Sequence, residues 1–201
     1  MMQRSRSWLT ALLACFLLAA CVGGENRKTH DIAGLVPDLA FSLSDDQGRQ
    51  VGAKDYRGKV TLLFFGYTHC PDVCGTTLAQ LAHTLRESGG GPDQARVLFV
   101  TVDPARDTTA VMHDYVQAFG PQFVGLRGEK AAIDALARRY RVSYTLGKPD
   151  ANGNYEVNHG SAVFVFDRQG RARLLFTPKD APGAMAHDLR SVIAEPDRGK
   201  D

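Results

Sequence analysis

The sequence predicts a single α/β domain, and three observations indicate this fold class. Two continuous apolar runs, at residues 60–65 (VTLLFF) and 97–102 (VLFVTV), are typical of strands buried on both faces of a sheet. Leucines at helical spacing lie between these runs, so a helix connects the two strands. Apolar runs at residues 161–166 and 173–176 flank a polar turn and predict a hairpin, after which a helix ends the domain.

The remaining elements follow from periodicity and from turn residues. A strand over residues 38–43 and a turn at residues 45–48 predict an N-terminal β-hairpin extension. The other predicted elements are a helix that carries Leu78, Leu81 and Leu85 and stops at residues 88–91, helices over residues 109–119, 130–140 and 184–194, and a strand over residues 123–126. A parallel βαβ start followed by a closing ββα unit predicts a thioredoxin-like sheet within an α/β sandwich.

Composition and charge exclude several classes of protein. The chain has 201 residues, of which 44% are hydrophobic and 23% are charged, as in an ordinary globular protein. The 24 Lys and Arg residues nearly balance the 22 Asp and Glu residues, and a nucleic-acid binder would show a basic excess or stripe. We therefore expect no nucleic-acid partner.

The N-terminus is similar to a bacterial lipoprotein signal peptide. Arg4 and Arg6 precede an apolar stretch at residues 8–18, which is short for a membrane span, and residues 18–21 read Leu-Ala-Ala-Cys. This pattern predicts removal of residues 1–20 and lipidation of Cys21. The protein would then be exported and anchored to a membrane on the periplasmic side. An uncleaved anchor and ordinary signal cleavage nearby are the alternatives.

The rest of the chain divides into three predicted segments. Residues 21–36 are polar and rich in glycine, which predicts a flexible tether with an r.m.s. reach of roughly 20 Å. Residues 37–195 contain all the predicted elements without an internal linker and form one domain. Residues 196–201 are charged and are expected to fray.

Cys70 and Cys74 are the only cysteines that remain beyond Cys21. They lie where the first buried strand meets the following helix, and the helix N-terminus should lower the pKa of the Cys70 thiol. Cys74 continues the stripe of buried leucines, so it should be the more buried sulfur. Two neighbouring thiolates suit a soft metal such as Cu(I) or Zn(II), or a redox-active disulfide. An inert disulfide is the structural alternative, although so short a loop stabilises the fold little.

Residues 65–74 (FGYTHCPDVC) resemble the signature of the SCO/SenC family of copper-binding, thioredoxin-like proteins. Residues 43–48, residues 103–108 (DPARDT) and residues 115–126 are similar to further segments of that family, so the resemblance covers nearly all of residues 36–195. It implies a thioredoxin-like fold, copper binding and a role at the binuclear copper site of cytochrome c oxidase. Family members supply copper to that site or keep it reduced.

The resemblance also implies a set of three copper ligands, Cys70, Cys74 and His159. Such a set suits Cu(I), and Cu(II) when a further ligand is added. Without the resemblance, His159 is better interpreted as a residue that caps a loop.

The sequence departs from the family pattern beside these ligands. Gly75 replaces a proline that usually follows the second cysteine, and Asn158 and Gly160 replace the usual aspartate and serine around the histidine. Glycine in a first helical turn costs up to about 1 kcal/mol relative to alanine. Asn158 would keep a hydrogen bond to the imidazole but would lack the charge of a carboxylate.

Three residues are candidates for a supporting role at the site. Asn158 is the first of them, through its hydrogen bond to the imidazole. Asp103 ends a buried strand, and the resemblance suggests that it assists copper handling or partner docking, the alternative being a turn or helix cap. His69 adjoins Cys70 and could tune it or add a ligand, the alternative being a solvated side chain.

Two hypotheses for function follow. In the first, the protein is a membrane-tethered copper metallochaperone whose partner is the copper-bearing subunit of cytochrome c oxidase or another copper acceptor. In the second, it is a thiol–disulfide oxidoreductase in which Cys70 attacks a target disulfide and Cys74 resolves the mixed disulfide. Both require a periplasmic thiol reductase, because an oxidising compartment would close the cysteine pair.

Overall fold

The structure is a computed structural model that describes residues 26–151 and 154–196. The predicted signal peptide, Cys21 and residues 197–201 of the predicted tail lie outside the described residues. The strands are β1 (His30–Asp31), β2 (Ser42–Asp45), β3 (Gln50–Gly52), β4 (Val60–Gly66), β5 (Ala95–Thr101), β6 (Phe123–Arg127), β7 (Tyr144–Leu146), β8 (Val157–His159), β9 (Val163–Phe166) and β10 (Ala172–Phe176). The helices are α1 (Val73–Ser88), α2 (Thr109–Gln117), α3 (Lys130–Arg139) and α4 (Pro182–Ala194), and a 3₁₀ turn spans Ala53–Tyr56.

The main sheet has eight strands in the order β1-β10-β9-β4-β5-β6-β2-β3. Strands β4, β5 and β6 are parallel, whereas β9 pairs antiparallel with β4 and β10 pairs antiparallel with β9. The arrangement β5-β4-β9-β10 is the core of a thioredoxin-like sheet, with β2 and β3 as the added N-terminal hairpin. The predicted fold class is therefore confirmed.

The core explains why the two apolar runs form the central strands. Every residue of β4 is buried, because β5 and β9 flank it in the sheet and helices cover it. In α1, Leu78, Leu81 and Leu85 are fully buried, as their spacing predicts. The helix ends where Gly89 adopts a left-handed conformation with φ of 79°. The site loop therefore extends from a rigid central strand.

The predicted strand over residues 38–43 differs from the observed one. Strand β2 begins only at Ser42, and the preceding residues bond to other parts of the domain. The Tyr140 hydroxyl donates to the carbonyl of Asp38 and accepts from the amide of Ala40, while the Leu39 amide donates to Gly170. These partners lie outside the strand ladder, so the alternating pattern reflects burial of Leu39 and not strand pairing.

The predicted tether is wrong for residues 28–32, which are docked on the domain. The amides of Lys28 and Thr29 and the Thr29 hydroxyl donate to Asp188 Oδ2 on α4, at 2.8, 2.7 and 2.7 Å. Strand β1 then pairs with β10, and Ile32 is buried. The buried carboxylate that holds the segment is almost 160 residues away along the chain, so local composition could not reveal this docking.

We expect Asp188→Asn to weaken this docking. Burial opposes the charge, but bonds from His187, Thr29 and Lys28 outweigh it and lower the pKa of Asp188. A lowered folded pKa stabilises the protein above the carboxyl's ordinary pKa, and this contribution is lost as the pH falls through the folded pKa. Urea unfolding at pH 7 should show a loss of about 1–2 kcal/mol, and the difference from wild type should shrink in acid.

The matched control for this prediction is Asp93→Asn. The Asp93 side chain is 98% exposed, so its removal should leave the free energy of unfolding unchanged. Equal stability of Asp188→Asn and wild type at pH 7 would show that the docking of residues 28–32 contributes nothing.

None of the helices within residues 26–151 and 154–196 has the length and apolar character needed to cross a membrane.

Candidate metal centre

Cys70 lies at the end of the loop that connects β4 to α1. The helix begins at Val73, so Cys70 precedes it and does not share a helical turn with Cys74. Asp72 occupies the N-cap position but its side chain makes no capping hydrogen bond. The first-turn amides are therefore available to the Cys70 sulfur.

The local environment makes Cys70 the acidic member of the pair. Burial opposes ionisation, but the backbone N–H groups of Asp72, Cys74 and Val73 together with the Cys74 thiol outweigh it and lower the pKa of Cys70. Cys70 is half-buried, whereas Cys74 is fully buried. The expected differences in acidity and exposure between the two thiols are both confirmed.

Cys74 is held against the end of the central strand. Its pKa is raised, chiefly by burial and further by its hydrogen bond to Cys70 and the charge of Cys70. A Cβ atom on Gly66 would lie only 2.9 Å from Cys74 Sγ, so the glycine makes room for the sulfur. Both cysteines are free thiols. A thiolate at Cys70 can therefore accept a hydrogen bond from the Cys74 thiol.

His159 reaches the cysteines from a separate two-stranded sheet. It is the last residue of β8, which pairs antiparallel with β7, and its Nε2 lies 3.2 Å from Cys74 Sγ. Nδ1 is 3.0 Å from the carbonyl of Gly160, which accepts a hydrogen bond when Nδ1 carries the proton. Nε2 then has a free lone pair that faces the sulfurs.

Burial keeps the imidazole neutral. The rings of Phe64 and Tyr67 lie 6.1 and 5.9 Å from the His159 ring, both near edge-on. Desolvation lowers the pKa of His159, and the bond to Gly160 offsets only part of this effect. A neutral imidazole can serve as a metal ligand, whereas an imidazolium cannot.

The three ligand atoms of Cys70, Cys74 and His159 all lie within 4.8 Å of one another. Two soft sulfurs and one imidazole nitrogen suit Cu(I) and Zn(II) better than a hard cation such as Mg²⁺ or Ca²⁺. The residues present therefore fit a copper ion. Residues 85 positions apart in sequence meet because β4 and β9 are neighbours and β8 directly precedes β9.

The other predicted site residues lie around this group but not in it. Asp103 is buried at the carboxyl end of β5 and bonds to Tyr155 and Arg106. His69 is 48% exposed, and its Nδ1 lies 3.0 Å from Thr68 Oγ1. Asn158 is exposed, and neighbouring residues of a strand point to opposite faces, so its side chain faces away from that of His159.

Asp107 is a site residue that sequence reasoning missed. Its buried carboxylate accepts from the amide and hydroxyl of Thr68, at 3.1 and 2.6 Å, and from the Thr101 hydroxyl at 2.6 Å. These bonds attach the loop before Cys70 to the end of β5. The signal was present in the segment DPARDT, where a second aspartate follows a buried strand.

Fold and site together define a thioredoxin-like protein with a soft-metal group of two thiols and one imidazole. The SCO1/SenC family profile matches residues 35–194, and the chain belongs to this family. The mitochondrial SCO2 homolog of Bos taurus is 42% identical over 178 residues, which are 83% of this chain and 67% of that protein.

Two solved structures with copper bound have the same fold. ScoI of Bradyrhizobium japonicum is 39% identical with a TM-score of 0.70, and the match covers 78% of this chain and 99% of that one. ScoI of Arabidopsis thaliana is 30% identical with a TM-score of 0.73, and the match covers 79% of this chain and 98% of that one.

We expect Gly75→Ala to stabilise the protein. A Cβ atom there would meet only the Tyr115 hydroxyl, at an ordinary 3.8 Å, and alanine is the better helix former. Thermal unfolding should show a gain of about 0.5–1 kcal/mol, or about 2–3 °C in Tm. Gly183→Ala in α4, where nothing lies within 4 Å, is the matched control away from the cysteines. A lower Tm for Gly75→Ala alone would mean that the cysteine turn needs glycine.

Proposed function

We propose that this protein binds one copper ion as cargo through Cys70, Cys74 and His159 and delivers it to the copper site of cytochrome c oxidase. The observation that carries this proposal is the convergence of the three ligand atoms within 4.8 Å. Membership of the SCO1/SenC family and the copper-bound ScoI relatives support copper as the metal. The family resemblance supports the oxidase as the acceptor.

The protonation states of the ligands suit uptake of copper. Cys70 ionises readily because backbone N–H groups stabilise its thiolate. Cys74 keeps its proton in the free protein, since burial raises its pKa, and must lose this proton when a metal binds. His159 presents an unprotonated Nε2 without having to lose a proton. Uptake should therefore release the Cys74 proton.

The unequal exposure of the ligands suits transfer of copper to an acceptor. Cys74 is fully buried, whereas Cys70 is half-buried and the loop residues Pro71 and Asp72 beside it are exposed. An incoming thiol or imidazole can reach the metal on the side of Cys70. Ligand exchange would therefore begin at Cys70, and Cys74 would be the last protein ligand to leave.

The alternative, a thiol–disulfide oxidoreductase, also draws support from the acidic Cys70 and its bond to Cys74. In that role the Cys70 thiolate attacks a target disulfide, and Cys74 then closes the pair and leaves the target reduced. Dithiol exchange does not need an imidazole 3.2 Å from the buried sulfur, whereas a metal site does. The position of His159 therefore favours copper delivery.

A transfer experiment separates these two functions. The Cu(I)-loaded protein is mixed, without oxygen, with the metal-free soluble copper domain of a cytochrome c oxidase, the two proteins are separated, and the copper content of each is measured. We expect transfer from wild type but not from His159→Ala. The oxidoreductase would be favoured if no copper were transferred and if the reduced, copper-free protein reduced the disulfide of an oxidised acceptor.

We also propose that the mature protein begins at Cys21, is lipidated there and faces the bacterial periplasm, with residues 37–195 as its one domain. The charge and apolar pattern of residues 4–21 supports the anchor, whereas the Bos taurus relative is mitochondrial. Metabolic labelling with a fatty acid should mark the wild type but not Cys21→Ser. Equal labelling of both would contradict lipidation at this residue.

A further inference from the structure

His159 belongs to an element that is not part of the main sheet. Strands β7 and β8 form their own two-stranded sheet, with Tyr144 opposite His159, and we call this pair of strands with the adjoining residues 154–156 the His159 arm. Within the described residues, no strand ladder joins the arm to the eight-stranded sheet. The distance from His159 to the cysteines therefore depends on the short connection from β8 to β9 and on the side-chain contacts of the arm.

A buried contact attaches the arm beside the cysteine loop. The Tyr155 hydroxyl, four residues before His159, donates to Asp103 Oδ1 at 2.6 Å. The second carboxylate oxygen of Asp103 accepts from Arg106 Nε at 2.5 Å. Asp103 is 1% exposed, so the acceptor of both bonds is shielded from water, and a hydrogen bond to a shielded carboxylate is strong.

Arg106 lies between the arm and the cysteine loop. Its guanidinium carbon is 3.7 Å from the centre of the Tyr155 ring and 5.8 Å from that of Tyr67. Tyr67 in turn packs edge-on against the His159 ring. Arg106 Nη2 is buried without a hydrogen-bond partner, which indicates that Asp103 and the two rings determine the position of this side chain.

We propose that Tyr155 and Arg106 are positioning residues that hold the His159 arm at the cysteine pair. This inference rests on the proposed function and adds two residues that position one of its ligands. While Tyr155 is bonded to Asp103, His159 lies beside Cys74 as the third ligand. When this bond is broken, the arm moves independently of the cysteine loop, and only the two thiols remain to hold copper.

The first test uses Tyr155→Phe, which keeps the ring over Arg106 and removes only the bond to Asp103. In the reduced, metal-free protein, amide hydrogen exchange of β8 should become about tenfold faster while exchange of β4 stays the same. If the Tyr155 bond contributed only to overall stability, amide hydrogen exchange of β4 would become faster as well. In a competition titration with a Cu(I) chelator, the affinity should fall by about three- to tenfold, with one copper still bound per chain.

The matched control is Tyr140→Phe. The Tyr140 hydroxyl also donates to an oxygen, the carbonyl of Asp38 at 3.0 Å, but it lies outside the arm. Its removal should leave the exchange of β8 and the copper affinity unchanged. Arg106→Lys keeps the charge but loses the planar group over Tyr155, and it should accelerate the exchange of β8 as Tyr155→Phe does.

The proposal would be overturned if amide hydrogen exchange of β8 kept its wild-type rate in both Tyr155→Phe and Arg106→Lys. Faster exchange of β8 with unchanged copper affinity in both variants would also overturn it, because the contact would then not position a ligand. A wild type that binds no copper would contradict the proposed function instead, and the exchange data would still show whether the contact holds the arm.

Discussion

We expect His159→Ala to lower the affinity of the reduced protein for Cu(I) by more than about a hundredfold, since loss of a residue that merely orients a ligand already costs 10–100-fold. The variant loses the Nε2 atom that lies 3.2 Å from Cys74 Sγ, and only two sulfurs remain. Its fold should persist, because His159 is half-buried at the end of a short strand. Competition with a Cu(I) chelator measures the loss.

The matched control is His69→Ala. His69 is the residue next to Cys70, but its ring bonds to Thr68 and lies outside the three-ligand group. The control should retain the wild-type affinity. Full affinity in His159→Ala, or an equal loss in both variants, would show that the histidine of the site has been misassigned.

Gly66→Ala should have the largest effect on stability. The added Cβ would lie 2.6 Å from Phe99 Cε2 and 2.9 Å from Cys74 Sγ, and both neighbours are fully buried. Neither can move without displacing other core atoms, so urea unfolding should show a loss of about 2–3 kcal/mol. Displacement of the sulfur should also weaken copper binding in the chelator titration.

Gly160→Ala is the matched control for this prediction. Gly160 adjoins His159, but nothing lies within 4 Å of a Cβ atom placed there. Its free energy of unfolding should stay within about 0.5 kcal/mol of wild type. If Gly66→Ala were as stable as Gly160→Ala, the close packing of Cys74 against β4 would be wrong.

The sequence predicts those parts of the fold whose signal is local. Strand β4 is a continuous apolar run and the buried face of α1 is a regular leucine stripe, so both could be identified from a few neighbouring residues. Strand β1 and the β7–β8 sheet were missed because each strand has only two or three residues. Their positions on the domain depend on distant partners such as Asp188 and Asp103.

The candidate site likewise contains residues that a local sequence pattern predicts and residues that only tertiary contacts bring into place. The pairing of an acidic, half-buried Cys70 with a fully buried Cys74 follows from the strand-to-helix junction and from the leucine stripe. His159 lies 85 residues beyond Cys74, and only the family resemblance connected it to the pair. The second aspartate of DPARDT is a local signal for Asp107, but no spacing in the sequence indicates its bond to Thr68 or the bond of Tyr155 to Asp103.

X-ray absorption spectroscopy of the reduced protein loaded with one equivalent of Cu(I) tests the central claim most directly. Copper held by Cys70, Cys74 and His159 should show two sulfur neighbours and one nitrogen neighbour, with the outer-shell scattering typical of an imidazole, and should lose that scattering in His159→Ala. A copper ion with sulfur neighbours only, or an imidazole signal that persists in His159→Ala, would contradict the assignment of Cys70, Cys74 and His159 as the copper site.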